Sequence, residues 1–404
     1  MKFLEKKHHL IKGTIAHLHA STDESYSDYI YDLAQLLTDK GYPSSILCVF
    51  NKGNQYKKEG RNIPIVHYGG SYIGLLLDLF RCLALHPIKT HKIVSRWLSK
   101  RLNLTMLHAC LCLILHNVVI LHVQRAYQGP KAMILSELCG IPWILHLRGN
   151  DVKVTPLVDP NWKNCLKKLL HQCSAVVAVC RNLIQEASCY ADIQNKSHVI
   201  YVTRPSSEKI VLAQQMAGNK KNEILIVATG RLVWEKGFSY ALDALPFLLD
   251  QGFKKWKFVL MGDGLDREAL IYQAKELHLL DYIELQGKVK KEDVVAFLPH
   301  ADIYLQPSIT EGIPASLFEA MAARLPCIVT NAGGMTEIVS NGYNGIVIPS
   351  RSAKAIAQAL LTLISDEKLR FTLGENASKT VATYTPDYEA EETIKIYQQI
   401  LSKK

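Results

Sequence analysis

No CxxC pair occurs among the 10 cysteines of this sequence, and the closest two, Cys110 and Cys112, have a spacing typical of neither zinc sites nor redox motifs. Scattered, reduced thiols are the simplest expectation. Low-complexity tracts and repeats of fixed period are also missing, which excludes solenoids and disordered tails. The opening MKFLEKKHHLIKG has no apolar core before a small-residue cleavage site, so a cytoplasmic chain without a cleaved leader is expected. No Asp-x-Asp-like pair and no histidine cluster suggests a metal, and the expectation is that none is used and that there is no cofactor.

Acidic residues are scarce in one half only. Residues 1–204 hold 13 Asp and Glu against 25 Lys and Arg, whereas residues 205–404 hold 24 against 22, within a net charge of +10. The first half therefore suits an anionic neighbour: membrane lipid, a phosphorylated carrier or nucleic acid. A merely soluble basic surface is the plainer explanation. At 404 residues the chain exceeds the roughly 250–300 residues at which one core stops growing, so two domains are expected.

Short β-branched runs alternate with helical patterns throughout. Strands are predicted at 14–19, 45–50, 63–67, 118–123, 142–147, 175–179 and 199–202, then at 224–228, 257–261, 282–285, 303–306, 327–330 and 345–348. Several are near-continuous apolar runs, as parallel strands covered on both faces require. This βαβ rhythm, given twice, predicts an α/β protein of two doubly wound, Rossmann-like domains. The boundary is expected near 204–222, where Pro205 ends a strand and the polar AGNKKNE precedes the next, giving domains 1–205 and 206–385. Ligands bind beyond the carboxyl ends of strands in open α/β sheets, which would place a site in the cleft between the two.

Residues 104–123 have the length and apolarity of a membrane span. His108, His116 and His122 and the His116-Asn117 break fit a buried helix at 104–115 followed by a strand better. Just upstream, 88–102 (IKTHKIVSRWLSKRL) sets Ile93, Val94, Trp97, Leu98 and Leu102 on one face and Lys89, Lys92, Arg96 and Lys100 on the other. Such a helix suits the interface of an anionic membrane. Equally, it could pack its apolar face on its own domain.

The residues with chemical promise lie after predicted strands of the second half. Gly230-Arg231-Leu232-Val233-Trp234-Glu235-Lys236-Gly237 puts two cations on one loop, a guanidinium fork and a point charge that could both reach a diphosphate. Alone, the loop could equally be an ordinary turn into a helix. The run Gln306-Pro307-Ser308 to Glu319 carries Glu311 before, and Glu319 inside, a helix predicted to start at Ala315 or Ser316. Its first-turn amides make an anion site, and carboxylates accept from the vicinal hydroxyls of a sugar or ribose. Glu319 could instead simply complement the helix dipole. Gly262-Asp263-Gly264 and Gly333-Gly334 read as tight turns on the same rim.

Taken in order, GRLVWEKG, GDG, LQGKV, ADIYLQPS, EGIPASLFEAMA, LPCIVTNAGGMTEIV and NGYNGIVIP resemble the retaining glycosyltransferase family 4, enzymes of the two-domain GT-B fold also grouped as glycosyl transferases group 1. The likeness is strong over 223–349 and looser before. It implies that Arg231 and Lys236 hold the donor diphosphate, that Glu311 contacts the donor sugar and that Glu319 binds the ribose. Backbone amides of Ala315, Ser316 and Leu317 would meet the phosphates, and the base would sit against 287–289, including Val289. Gly230, Gly262, Gly312 and Ile313 would complete the donor site.

The first half departs from that family. His19-Ala20-Ser21-Thr22-Asp23-Glu24-Ser25-Tyr26 has no glycine where a Gly-rich loop is usual. The usual His-Gly-x-Asp appears as Arg148-Gly149-Asn150-Asp151, with His146 two residues before, and these three (His146, Arg148, Asp151) are candidates for the acceptor or donor-sugar side. Thr203-Arg204-Pro205-Ser206 replaces an Asn-Gly-Val/Ile-Asp element, and Arg324 stands where glycine is common. The last helix, 386–404, resembles the segment that crosses back to the first domain. The expected activity is metal-independent glycosyl transfer, with retention, from a nucleoside-diphosphate sugar to a saccharide or lipid-linked saccharide, as in cell-surface polysaccharide or lipopolysaccharide synthesis. The expected setting is cytoplasmic, with peripheral membrane contact through 88–102 and no nucleic-acid partner. A sugar-nucleotide epimerase of the same fold and a non-catalytic sugar-nucleotide-binding protein are the alternatives.

Overall fold

The computed structural model describes residues 13–19, 24–49, 63–68, 72–201 and 223–403. Two compact units divide the chain: Met1–Ala178 with Ile184–Ile200 and Ala390–Lys404, and Val179–Leu183 with Tyr201–Glu389. The predicted boundary at 204–222 and the Thr203-Arg204-Pro205-Ser206 element lie outside the described residues, as do Ala20 to Asp23.

The first unit is built on a parallel sheet of β1 (Thr14–His19), β2 (Ser44–Val49), β3 (Ile65–Tyr68), β4 (Val118–Val123), β5 (Trp143–Leu147), β6 (Ala175–Ala178) and β7 (Ser197–Val199), in the order β3-β2-β1-β4-β5-β6-β7. β4, β5 and β6 are buried almost throughout, which is why they read as apolar runs. The predicted strand at 199–202 is displaced: β7 covers 197–199, and only the Ile200 amide extends its pairing, to the Ala178 carbonyl.

Helices α1 (Glu24–Asp39), α2 (Tyr72–Leu85), α3 (Pro87–Ser99), α4 (Leu104–Leu115) and α5 (Gly129–Cys139) connect the first strands. All residues of α4 from Leu107 to Ile114 are buried, so over this stretch it is a core helix covered on every side. Asn103 caps it by accepting from the Met106 amide, and Asn117, at φ 47°, turns the chain into β4. The apolar stretch 104–123 is thus a helix and a strand, and no helix among the described residues is long and apolar enough to cross a membrane.

The second unit carries β8 (Ile224–Thr229), β9 (Trp256–Met261), β10 (Ile283–Gly287), β11 (Ile303–Gln306), β12 (Cys327–Thr330) and β13 (Gly345–Ile348), all parallel, in the order β10-β9-β8-β11-β12-β13. This is the doubly wound order, and its direction reverses between β8 and β11. β8 and β11 are neighbours through the pairs Ile303–Ile226 and Tyr304–Val227. Whatever follows those two strands therefore meets at one place on the rim.

Candidate functional site

The loops after β8 and β11 hold the two charged motifs. Lys236 Nζ lies 2.6 Å from Glu311 Oε2, and both side chains are largely withdrawn from water, 13% and 17% exposed. Backbone contact makes this approach possible. Gly237 (φ 66°) packs so tightly that a Cβ there would come within 2.2 Å of the Pro307 carbonyl oxygen. Gly333 (φ 61°) lies as close to the Glu311 carbonyl, and the Gly334 amide donates to the Gly312 carbonyl at 2.8 Å. The Ile309 amide donates to the Glu235 carbonyl, fastening the β11 loop to the β8 loop.

Behind the ion pair runs a buried chain of hydrogen bonds. Ser308 Oγ donates to Glu311 Oε2 (3.5 Å) and accepts from Gln306 Nε2 (2.8 Å). Gln306 Oε1 in turn accepts from the Tyr304 hydroxyl (2.7 Å), which lies 2.8 Å from Ser316 Oγ. The Thr330 hydroxyl donates to the Ser308 carbonyl. Burial pushes the Tyr304 phenol well above its ordinary range, so it stays protonated and can keep donating. Every link is satisfied, which is the condition under which a buried polar network rigidifies its surroundings.

The remaining candidates of this unit surround that chain. Arg231 is exposed, its guanidinium 3.8 Å from Glu235. Gly230 donates its amide to the Met261 carbonyl and Gly262 donates to the Gly287 carbonyl, so the ends of β8, β9 and β10 are laced together. Ala315, Ser316 and Leu317 form the first turn of the helix Ala315–Ala322, next to the buried Gly312 and the half-buried Ile313. Glu319 is buried one turn in, with Lys291 Nζ 3.7 Å away. It is therefore not a solvated side chain, while its place near the start of the helix still suits the dipole. Val289 is half-buried beyond the end of β10.

His146, Arg148 and Asp151 belong to the first unit and come together there. The Arg148 guanidinium donates to Gln124 Oε1 at 2.8 Å and lies over the Tyr29 ring, 4.8 Å from its centroid. Asp151 is buried and accepts from the Gly149 amide at 2.8 Å and, more loosely, from the Arg148 amide. Burial raises its carboxyl group, opposed by those amides and the Arg148 charge. His146 in β5 stacks 5.8 Å from His122 in β4, which lies 5.4 Å from His17 in β1. Among the described residues neither ring nitrogen of His146 has a hydrogen-bond partner. The residue that fixes Arg148, Gln124, was not singled out in the sequence because nothing local marks it. Tyr304, Gln306 and Ser308 were within reach: polar residues at the buried end of the strand IYLQ need partners.

Residues 213–380 match the family model of glycosyl transferases group 1. The chain is 30% identical over 202 residues, half of each chain, to the N,N'-diacetylbacillosaminyl-diphospho-undecaprenol alpha-1,3-N-acetylgalactosaminyltransferase of Campylobacter jejuni. It is 23% identical over 280 residues, 65% of this chain and 70% of the relative, to the Escherichia coli UDP-Gal:alpha-D-GlcNAc-diphosphoundecaprenol alpha-1,3-galactosyltransferase. The chain spans about half the length of the first curated relatives it matches. In fold it resembles sucrose-phosphate synthase from Thermosynechococcus elongatus (16% identity, 97% of this chain and 100% of that one, TM-score 0.77). It also resembles Anabaena HepE, solved in complex with UDP and glucose (18%, 97% and 99%, TM-score 0.69). The match to the group 1 glycosyl transferases thus covers residues 213–380, and the chain has the GT-B fold of these structures.

Proposed function

We propose that the chain transfers a glycosyl group from a nucleoside-diphosphate sugar to a saccharide or lipid-linked saccharide acceptor, with retention at the anomeric carbon and without a metal ion. The observation that carries this reading is the half-buried Lys236–Glu311 pair at the switch point of the second sheet. In the resting site the two charges neutralise each other. A donor diphosphate recruits the Lys236 ammonium, and Glu311, held by Ser308, turns its second oxygen to the sugar hydroxyls. Arg231 supplies the other cation on the leaving group, the place a metal fills elsewhere. Amides at 315–317 add to the phosphate site, Glu319 accepts from the ribose, and the base rests on Gly287 to Val289. The acceptor binds the basic first unit near Arg148 and Asp151.

Released nucleoside diphosphate is the readout, over a panel of donors with saccharide and lipid-linked acceptors. Lys236→Ala and Arg231→Ala should each lose at least about tenfold in rate with the fold intact. Near-normal rates in both would remove the diphosphate assignment. An altered sugar nucleotide formed without acceptor would favour an epimerase instead. The anomeric configuration of the product, read by NMR coupling, tests retention.

The same reading extends to contact between the first unit and an anionic membrane, with α2 added to the expected α3. Arg96 and Lys100 of α3 are engaged with α5, Arg96 donating to the Glu137 and Leu138 carbonyls and Lys100 pairing with Glu137. Trp97 is half-buried, its indole N–H on the Asn103 carbonyl. On α3 Leu98 stays exposed, and a larger exposed apolar face belongs to α2, where Tyr72, Ile73, Leu76, Leu77 and Phe80 face solvent; Lys89 and Lys92 of α3 are exposed too. Leu77→Ser with Phe80→Ser should reduce co-sedimentation with phosphatidylglycerol vesicles; unchanged binding would end the proposal of membrane contact.

A further inference from the structure

Three residues of the first unit, carrying none of the donor-site chemistry, converge between α2 and α4. His108 and Cys112 stand one turn apart on α4, and Asp78 faces them from α2, where Cys82 follows one turn later. His108 Nε2 lies 3.1 Å and Cys112 Sγ 3.9 Å from Asp78 Oδ2, and the three ligand atoms all lie within 4.8 Å of one another. A tetrahedral ion with bonds of about 2.0–2.3 Å holds its ligand atoms roughly 3.3–3.8 Å apart. The observed spacings straddle that range, so small side-chain rotations suffice.

The geometry points to Asp78, His108 and Cys112 as ligands of one transition-metal ion, with zinc the ion that a carboxylate, imidazole and thiolate set suits. Cys112 binds as thiolate, its proton passing to solvent. The fourth position is left to water, and Cys82 Sγ is already engaged with the Leu111 carbonyl. Arg81, mostly exposed at 3.5 Å from Asp78 Oδ1, can leave the carboxylate when the ion enters. The packing shows what the ion would do. α2 buries only Leu75 and Cys82 and turns its apolar side outward, so hydrophobic contact alone fastens it weakly to α4. A metal bridging Asp78 to His108 and Cys112 staples α2 to the core. The sequence hid this set because its members come from helices 30 residues apart.

Cobalt(II) added to the full, untagged chain tests the proposal, because a thiolate ligand gives a near-ultraviolet charge-transfer band and four-coordinate cobalt gives intense visible bands. The wild type should show both, should retain about one zinc per chain after passage over chelating resin, and should melt higher with zinc than with chelator. Cys112→Ser should lose the charge-transfer band and Asp78→Asn the zinc-dependent rise in midpoint. Cys110→Ala, on the same helix but outside the set, should keep both. Circular dichroism confirms that each variant is folded. A folded wild type without the cobalt bands, or bands unchanged in Cys112→Ser, would overturn the site.

Discussion

Lys236 and Glu311 show how a residue's role depends on its neighbour's charge. Each alone would be a charge largely withdrawn from water, and together they form a pair that a diphosphate can re-partition. Glu311→Gln leaves Lys236 without its counter-charge and should cost on the order of 1–3 kcal/mol in urea unfolding, while reducing transfer more than donor binding. Tyr304→Phe removes one buried hydroxyl from the chain linking Ser316 to Gln306 and should cost about 1–2 kcal/mol, with Ser316 still able to donate to Gln306. A loss no larger than that of an exposed substitution would show that the chain is not cooperative.

The three neighbouring buried histidines give a pH dependence of definite sign. Burial lowers His17 to about 4, and burial together with His17 and Arg148 lowers His122 well below its ordinary value. His146 is lowered by burial and Arg148. Below the ordinary histidine range the unfolded chain takes up protons that the folded chain refuses, so stability is complete above about pH 6.5 and falls as pH drops toward 4. Urea midpoints measured down that range should fall, and His17→Gln should flatten the decline. A midpoint that rises on acidification would contradict the neutral, buried state of these rings.

At the scale of elements, the helix Ala315–Ala322 ends in a Schellman motif: the Leu325 amide donates to the Ala320 carbonyl and the Arg324 amide to the Met321 carbonyl. Arg324 adopts φ 61° there, a conformation that glycine takes without strain, and offsets it only with an exposed ion pair to Glu375. This explains why glycine is common at that place in the resembled family. Arg324→Gly should leave stability unchanged or raise it by up to about 1 kcal/mol in thermal unfolding, and a clear loss would give the Glu375 pair a larger role. Most elements of the second unit were readable because their strands are short apolar runs, and those of β8, β9 and β12 run into glycine turns at Gly230, Gly262 and Gly333-Gly334. β7 was misplaced because its three residues are only half-buried and lack an apolar signature. The face of α2 was missed for a different reason: its 14 residues are apolar nearly all round and do not reveal which side is covered, and the exposed one proved to carry Tyr72, Ile73, Leu76, Leu77 and Phe80.

At the scale of the molecule, legibility follows sequence distance. The charged rim of the second unit comes from two loops whose residues sit close together in the chain, so Arg231, Lys236, Glu311 and Glu319 could be read directly, and the strand order brings the loops together. The first unit assembles Gln124 with Arg148, Asp78 with His108, and His17 with His122 from separate strands and helices, and none of these pairs leaves a local pattern. The last helix illustrates the same point, since Tyr397 reaches His122 at 2.8 Å across most of the sequence.

The central claim is that the rim holding Lys236 and Glu311 binds the diphosphate of a sugar nucleotide. Isothermal titration of the wild type and Lys236→Ala with a panel of nucleoside diphosphates and the matching nucleosides tests it most directly. The wild type should bind at least one diphosphate and not its nucleoside at the same concentration, and Lys236→Ala should bind that diphosphate at least about tenfold more weakly. Equal affinity in the two proteins, or equal affinity for diphosphate and nucleoside, would contradict it.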